Sequence, residues 1–239
     1  MPRPELDLRL DGFEAIAPQT GQAFLRDVEI NESELVPLAE HHSPSGANSF
    51  YVLHDESATW GFPGEPQIAA LHVQRDLTAR TFTFELQMLP LAVMAQSWLI
   101  HRGCPADAIG LNPDLGTEPA DEATRTLERR LMGDGDHFAC GYSYTRDDPD
   151  DMVVVVALRD LHEQGSSPYR VVVEEVDLGA WTRTLREGGF ATREEALQWC
   201  DDRLAGEAGS LPPVRPAAPV TRPASPPRAP ALPPRGRSR

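Results

Sequence analysis

Imidazole together with carboxylate is a common metal-ligand set, so histidines crowded among acids are the first residues to examine. His41, His42, His54, Asp55 and Glu56 form such a group, set among breakers. Their spacing matches no zinc pattern, and no neighbour supplies the partner that would fix an imidazole tautomer. The stretch reads as a solvated loop, and no metal is assigned to it. Gly133, Asp134, Gly135 and Asp136 resemble the opening of a calcium loop. The later ligands and the closing glutamate are missing, so this run reads as a helix end and a tight turn.

Nucleophilic chemistry fares no better. Gly141-Tyr-Ser143-Tyr-Thr145 resembles a nucleophile elbow, but threonine stands where the second glycine is needed for a strained strand-to-helix turn. Cys104, Cys140 and Cys200 are odd in number and widely spaced, as in a reducing cytosol, and read as small buried hydrophobes. The acidic pairs Glu174-Glu175, Asp147-Asp148 and Asp150-Asp151 offer carboxylates in number. Neighbours on a strand point to opposite faces, however, and a glycosidase needs its two carboxyls across one cleft. Asp76 and Asp177 suit turns, where aspartate bonds the backbone ahead of it. No G-x-G-x-x-G follows a strand. No catalytic residue and no cofactor is assigned.

Trp98 and Trp199 could stack on a ligand, but each reads better as the anchor of a helix on a sheet. Function is easiest to imagine in the C-terminal tail. Residues 211–239 hold ten prolines and six arginines (Arg215, Arg222, Arg228, Arg235, Arg237 and Arg239), with no acid. Arg215-Pro-Ala-Ala-Pro219 and Arg222-Pro-Ala-Ser-Pro226 repeat one phrase seven residues apart. Such arginines could hold phosphate or an acidic surface, and the phrase suits a polyproline II groove. Too little apolar area is available to offset ordering entropy, so the tail is expected to be extended and disordered.

The elements that must position any site are clearest in two blocks. Ile68 to Val73 and Thr81 to Met88 read as strands joined at Asp76 to Ala79. Pro90 then suits the first turn of a helix carrying Leu91, Met94, Ala95, Trp98 and Leu99 at helical spacing. Later, Tyr169 to Val176 and Trp181 to Leu185 read as strands joined at Asp177 to Ala180. Gly188-Gly189 reads as a break, and Thr192-x-x-Glu195 as a capping box opening a helix through Leu204. Residues 76–102 and 177–203 align without a gap, offset by 101, and eight of the 27 pairs are identical. Chance matching gives about two.

Phe50 to Leu53 and the valine-rich Met152 to Leu158 add a strand before each block, the second buried on both faces. Between the blocks, Ala120 to Met132 reads as a helix and Phe138 to Thr145 as a strand. Leu6, Leu8 and Leu10 alternate with charges as in a short strand. Pro37, the His41–Gly46 run and Gly61 to Pro66 read as breakers.

The predicted fold is α+β: two tandem strand-rich units, each closed by a helix, and a Pro/Arg-rich C-terminal tail. The divisions are an N-terminal strand and loop-rich segment (1–49), a first β-β-α unit (50–103), a connecting helix and strand (104–150), a second β-β-α unit (151–206) and the tail (207–239). Similarity between the units suggests a face-to-face pseudo-symmetric body.

Charge narrows the function. All 22 basic residues are arginine, and the net charge is −15. Residues 1–210 carry 16 arginines against 37 acids, a balance of −21, whereas the tail carries +6. An acidic body repels phosphate, so nucleic acid is expected only at the tail. With no signal-peptide core in Met1 to Leu10 and no apolar run long enough to cross a bilayer, a cytoplasmic location is expected. The leading expectation is a binding or adaptor protein whose acidic body meets a protein partner, one form being mimicry of nucleic acid. The alternatives are a hydrolase using buried carboxylates or the histidine-bearing loop, and weak nucleic-acid binding through the tail.

Overall fold

Two hairpin turns set the frame, and they share one unusual backbone state. Asp76 accepts the amides of Thr78 and Ala79 on its Oδ1, and Asp177 accepts that of Ala180. Each turn then closes through a residue of left-handed conformation, Arg80 and Trp181, both at φ 55°. That geometry returns the chain into an antiparallel partner strand.

A computed structural model describes residues 4–134, 138–161 and 167–214. The first unit runs β1 (Glu14–Ala15), α1 (Pro18–Asp27), β2 (Leu35–His42), β3 (Asn48–Asp55), α2 (Ala58–Gly61), β4 (Ile68–Asp76), β5 (Thr81–Leu89) and α3 (Ala92–Ile100). The second runs β6 (Glu118–Pro119), α4 (Glu122–Asp134), β7 (Phe138–Arg146), β8 (Met152–Asp160), β9 (Tyr169–Asp177), β10 (Thr182–Phe190) and α5 (Arg193–Ala205). The sheets are ordered β1-β5-β4-β3-β2 and β6-β10-β9-β8-β7. In both, a two-residue strand lies parallel to the last strand of an antiparallel meander. The repeat is therefore longer than β-β-α: each unit also owns a short strand, a leading helix and two further strands.

Layers follow from strand alternation. On one face of the first sheet, Tyr51, Leu53, Leu71 and Val73 pack on Phe24 and Val28 at α1 and its end. On the other, Phe50, Val52 and Ala70 meet Ala95 and Leu99 of α3. Leu91, Val93 and Met94 then turn away from their own sheet and join Leu131 of α4, Val156, Val172 and Leu185 in the second unit's core. On the far face, Val153, Val155, Val171 and Val173 cover Ala196 and Cys200 of α5. The units stack head to tail, α3 of one against α4 of the next, and not face to face as the sequence suggested. Sandwiched between sheets, α3 buries Val93 to Ser97 and Leu99, whereas α5 buries only Ala196 and Cys200. The capping box of α5 is formed: Thr192 Oγ1 takes the Glu195 amide, and Glu195 returns to the Thr192 amide.

Several expectations need correction. Strand β10 passes through Gly188 and Gly189, because Leu211, Pro212 and Val214 cross there: a Cβ on Gly188 would lie 2.7 Å from Leu211, and one on Gly189 2.9 Å from Val214. Two glycines let one backbone approach another. Residues 211–214 are thus packed on the second unit. Pro37, His41 and His42 are not loop residues but lie in edge strand β2, whose register shifts between Pro37 and Ala39. An edge with a bulge is where a strand tolerates proline. Leu6, Leu8 and Leu10 alternate in burial but form no ladder. Cys104 and Cys200 are buried as expected, but Cys140 is exposed on β7.

Candidate functional site

Alternation along β9 sends Glu174 and Val176 toward the junction with Val172, and Glu175 to the opposite face, where it binds Arg203 at 2.7 Å. The acidic pair is split, as period-two geometry requires. Glu174 opens into a cleft of about 370 Å³ lined from both units, including Ile68, Val93 and Leu111 from the first and Val154, Val176 and Trp181 from the second. His54, at the end of β3, and Glu56 also line it.

The polar groups of this cleft are unequally satisfied. Arg183 on β10 donates from Nε to Glu128 Oε1 of α4 at 2.8 Å and from Nη1 to the Thr117 carbonyl. Arg146 is engaged by Asp151 and by the Leu204 carbonyl. Glu174 has no hydrogen-bond partner among the described residues. Burial pushes its carboxyl up to about 7, against the pull of Arg183 and with the help of Glu128. Thr145 is 4% exposed and lines the same cleft. Its amide donates to Gly64 O at 3.1 Å, but its Oγ1 has no partner.

A carboxyl near neutrality makes stability depend on pH. An unfolded glutamate releases its proton near pH 4.3, whereas Glu174 holds its own to about pH 7. Between those values the folded state binds more protons, so its stability falls as pH rises through the window and levels off above it. Glu174→Gln is expected to flatten that slope and to raise stability at pH 8 by on the order of 1–2 kcal/mol. Urea unfolding at several pH values measures both.

At the rim, the loop between β3 and β4 is pinned to the second unit. Gln67 Nε2 donates to Asp147 at 2.9 Å, and the Tyr144 ring lies so close to Gly64 that a Cβ there would meet it at 2.6 Å. The same loop holds out Trp60 and Phe62, 72% and 74% exposed. Glu56, Glu65, Asp147, Asp148 and Asp150 are exposed on this loop and on the β7–β8 turn.

The residues picked from sequence are dispersed. His42 Nδ1 pairs with Ser49 Oγ at 2.7 Å and His41 stacks on Phe50, and these partners lie five and four residues along β3 from His54. No group of three potential metal ligands converges among the described residues. Ser143 sits mid-strand opposite Val156, not at a strand-to-helix turn. Trp98 and Trp199 each pack on their own sheet's cluster; Arg102 lies 3.3 Å over the Trp98 ring, and Trp199 donates to Gly209 O. Arg215, Arg222, Arg228, Arg235, Arg237 and Arg239 lie outside the described residues, as do Gly135 and Asp136. Thr145, Arg183, Trp60 and Phe62 were not singled out from sequence. For the two aromatics a signal existed, since Trp60-x-Phe62 falls between breakers, where a core residue is least expected. Among the described residues no helix is long and apolar enough to cross a membrane. Compared with known proteins, this chain matches no protein-family model, no curated protein and no solved structure.

Proposed function

We propose that this is a non-enzymatic binding protein whose acidic body engages a basic protein partner at the junction rim. The observation that carries this reading is the pinned loop displaying Trp60 and Phe62 beside the acidic β7–β8 turn. Exposed aromatics on a fixed backbone make strong anchors at little entropic cost, and surrounding carboxylates select a cationic surface. Charge outside the anchors governs encounter rate and salt dependence more than affinity.

Pull-down with the whole chain at low and high salt, followed by affinity measurement on the purified partner, tests it. The double variant Trp60→Ala/Phe62→Ala should weaken binding by about 30-fold or more. Asp147→Asn/Asp148→Asn/Asp150→Asn should weaken it at low salt and little at high salt. A partner indifferent to both variants, or no partner, overturns the proposal. The hydrolase reading has Glu174 in its favour, but Glu128, the carboxyl nearest in role, is occupied by Arg183. Ester or glycoside turnover abolished by Glu174→Gln would carry it instead. Oligonucleotide binding that vanishes when the chain ends at Val214 would carry the tail reading.

A further inference from the structure

The junction cleft has a chemistry of its own, separate from the aromatic loop on its rim. We propose that this cleft binds a small amphiphilic primary amine, with the apolar body between Ile68, Val93, Leu111 and Trp181 and the ammonium at Glu174 and Thr145.

Size and walls come first. A cleft of about 370 Å³ with apolar walls and a few converging polar groups has the form of a small-molecule site. Charge decides the class of ligand. Arg183 is paired with Glu128 and the Thr117 carbonyl, and Arg146 with Asp151 and the Leu204 carbonyl, so the charge of each guanidinium is already matched by a carboxylate. Glu174 has no hydrogen-bond partner among the described residues, and the one cation that acts on it, Arg183, is already bound to Glu128. A cation is the complement. Thr145 Oγ1 adds an independent sign, because a buried hydroxyl without a partner is rare in native structures, and Thr145 stands on the same face as Glu174 with Val154 between them.

The two units differ at the position that matters here. Arg80, equivalent to Trp181 in the first unit, reaches back to the carbonyls of Asp11 and Gly12 and lies 4.1 Å over the Phe13 ring. The same left-handed turn position in the second unit carries no such strap. Trp181 is instead 54% exposed and lines the cleft, an aromatic face suited to an apolar body or a cation.

Binding must also move a proton. An ammonium beside Glu174 favours its ionised form, so below neutrality each bound amine releases the proton that Glu174 holds. Affinity therefore rises with pH toward 7 and beyond, as long as the amine stays protonated.

Calorimetry of the whole chain with 2-phenylethylamine, 2-phenylethanol and 3-phenylpropionate tests this. At pH 7.5 the amine is expected to bind at least tenfold more tightly than the alcohol, and the acid not detectably. Glu174→Gln should lower amine affinity about tenfold and leave the alcohol unchanged; Thr145→Val should lower it several-fold. At pH 6 the binding heat should vary with the buffer, reporting one proton released. Glu174→Gln is expected to fold at least as well as the parent, so lost binding reports the site. Binding that prefers the acid, an amine no better than the alcohol, indifference to Glu174→Gln, or no binding of any probe each overturns the proposal. Trp60→Ala/Phe62→Ala should leave amine binding intact, which keeps failure here distinct from failure of the protein-partner reading.

Discussion

Replacing Arg75 with methionine is expected to cost about 4 kcal/mol of stability and to release the N-terminal segment. Arg75 lies on β4 opposite Phe82 and is only 7% exposed. Among the described residues its guanidinium meets no carboxylate. Nε donates to Arg9 O at 3.0 Å, Nη2 to Leu8 O at 2.5 Å, and Nη1 to Gly46 O at 3.2 Å and Ser49 Oγ at 2.9 Å. Hydrogen bonds from a charged donor are each worth about 1.5–3 kcal/mol, though not additively, and methionine leaves their acceptors without a donor. Residues 4–10 have no ladder of their own; Arg75 and the Tyr51 hydroxyl, donating to Asp7 O at 2.9 Å, hold them. Urea midpoints read the stability, and limited proteolysis reads the release through faster cleavage at Arg9. A loss under about 1 kcal/mol with unchanged proteolysis would refute the structural role assigned to this side chain.

Met94→Asp is expected to cost at least about 4 kcal/mol and to destabilise both units together. Met94 belongs to a helix of the first unit but packs in the second unit's core, with Leu131, Val156, Leu158, Val172 and Leu185. A carboxylate at that place finds no cation among those neighbours and must either ionise in apolar surroundings or give up its charge. Gln198→Asp on the exposed side of α5 is the control, expected to cost no more than about 1 kcal/mol although it loses the Gln198 bond to Asp202 and adds a like charge one turn from it. Thermal melts followed by circular dichroism should show one lowered transition for Met94→Asp. A melt in which one unit keeps its original midpoint would mean that the two fold independently.

How much of this was legible depended on whether a segment lives in one uniform environment. Strand β5 was readable because burial on one face writes a period into the residues, whereas β4, β9 and α3, buried on more than one side, were readable as apolar runs bounded by turn and breaker residues. Helix α1 was missed: only Phe24 among its ten residues is buried, too faint a stripe to see. Strand β2 was hidden by Pro37 and by paired histidines, which mean a breaker in isolation and an edge in context. Gly188 and Gly189 looked like a stop because the residues that press on them lie more than twenty positions away. The site obeyed the same rule. That Glu174 and Glu175 must diverge followed from the strand alone. That Arg183 would bond Glu128 and leave Glu174 without a hydrogen bond among the described residues is a tertiary fact, reached only once α4, β9 and β10 share a face.

The contact between α3 and α4 joins unlike surfaces, and such a contact has no built-in end: a third unit could add to the second as the second adds to the first. The skin of α5 differs at that place: Thr192, Glu194 and Glu195 stay in water at the positions of Leu91, Val93 and Met94, which α3 gives to its neighbour. A polar outer helix of this kind acts as a cap in repeat architectures: carboxylates where the neighbour's apolar core would sit make the same contact with a further unit unfavourable.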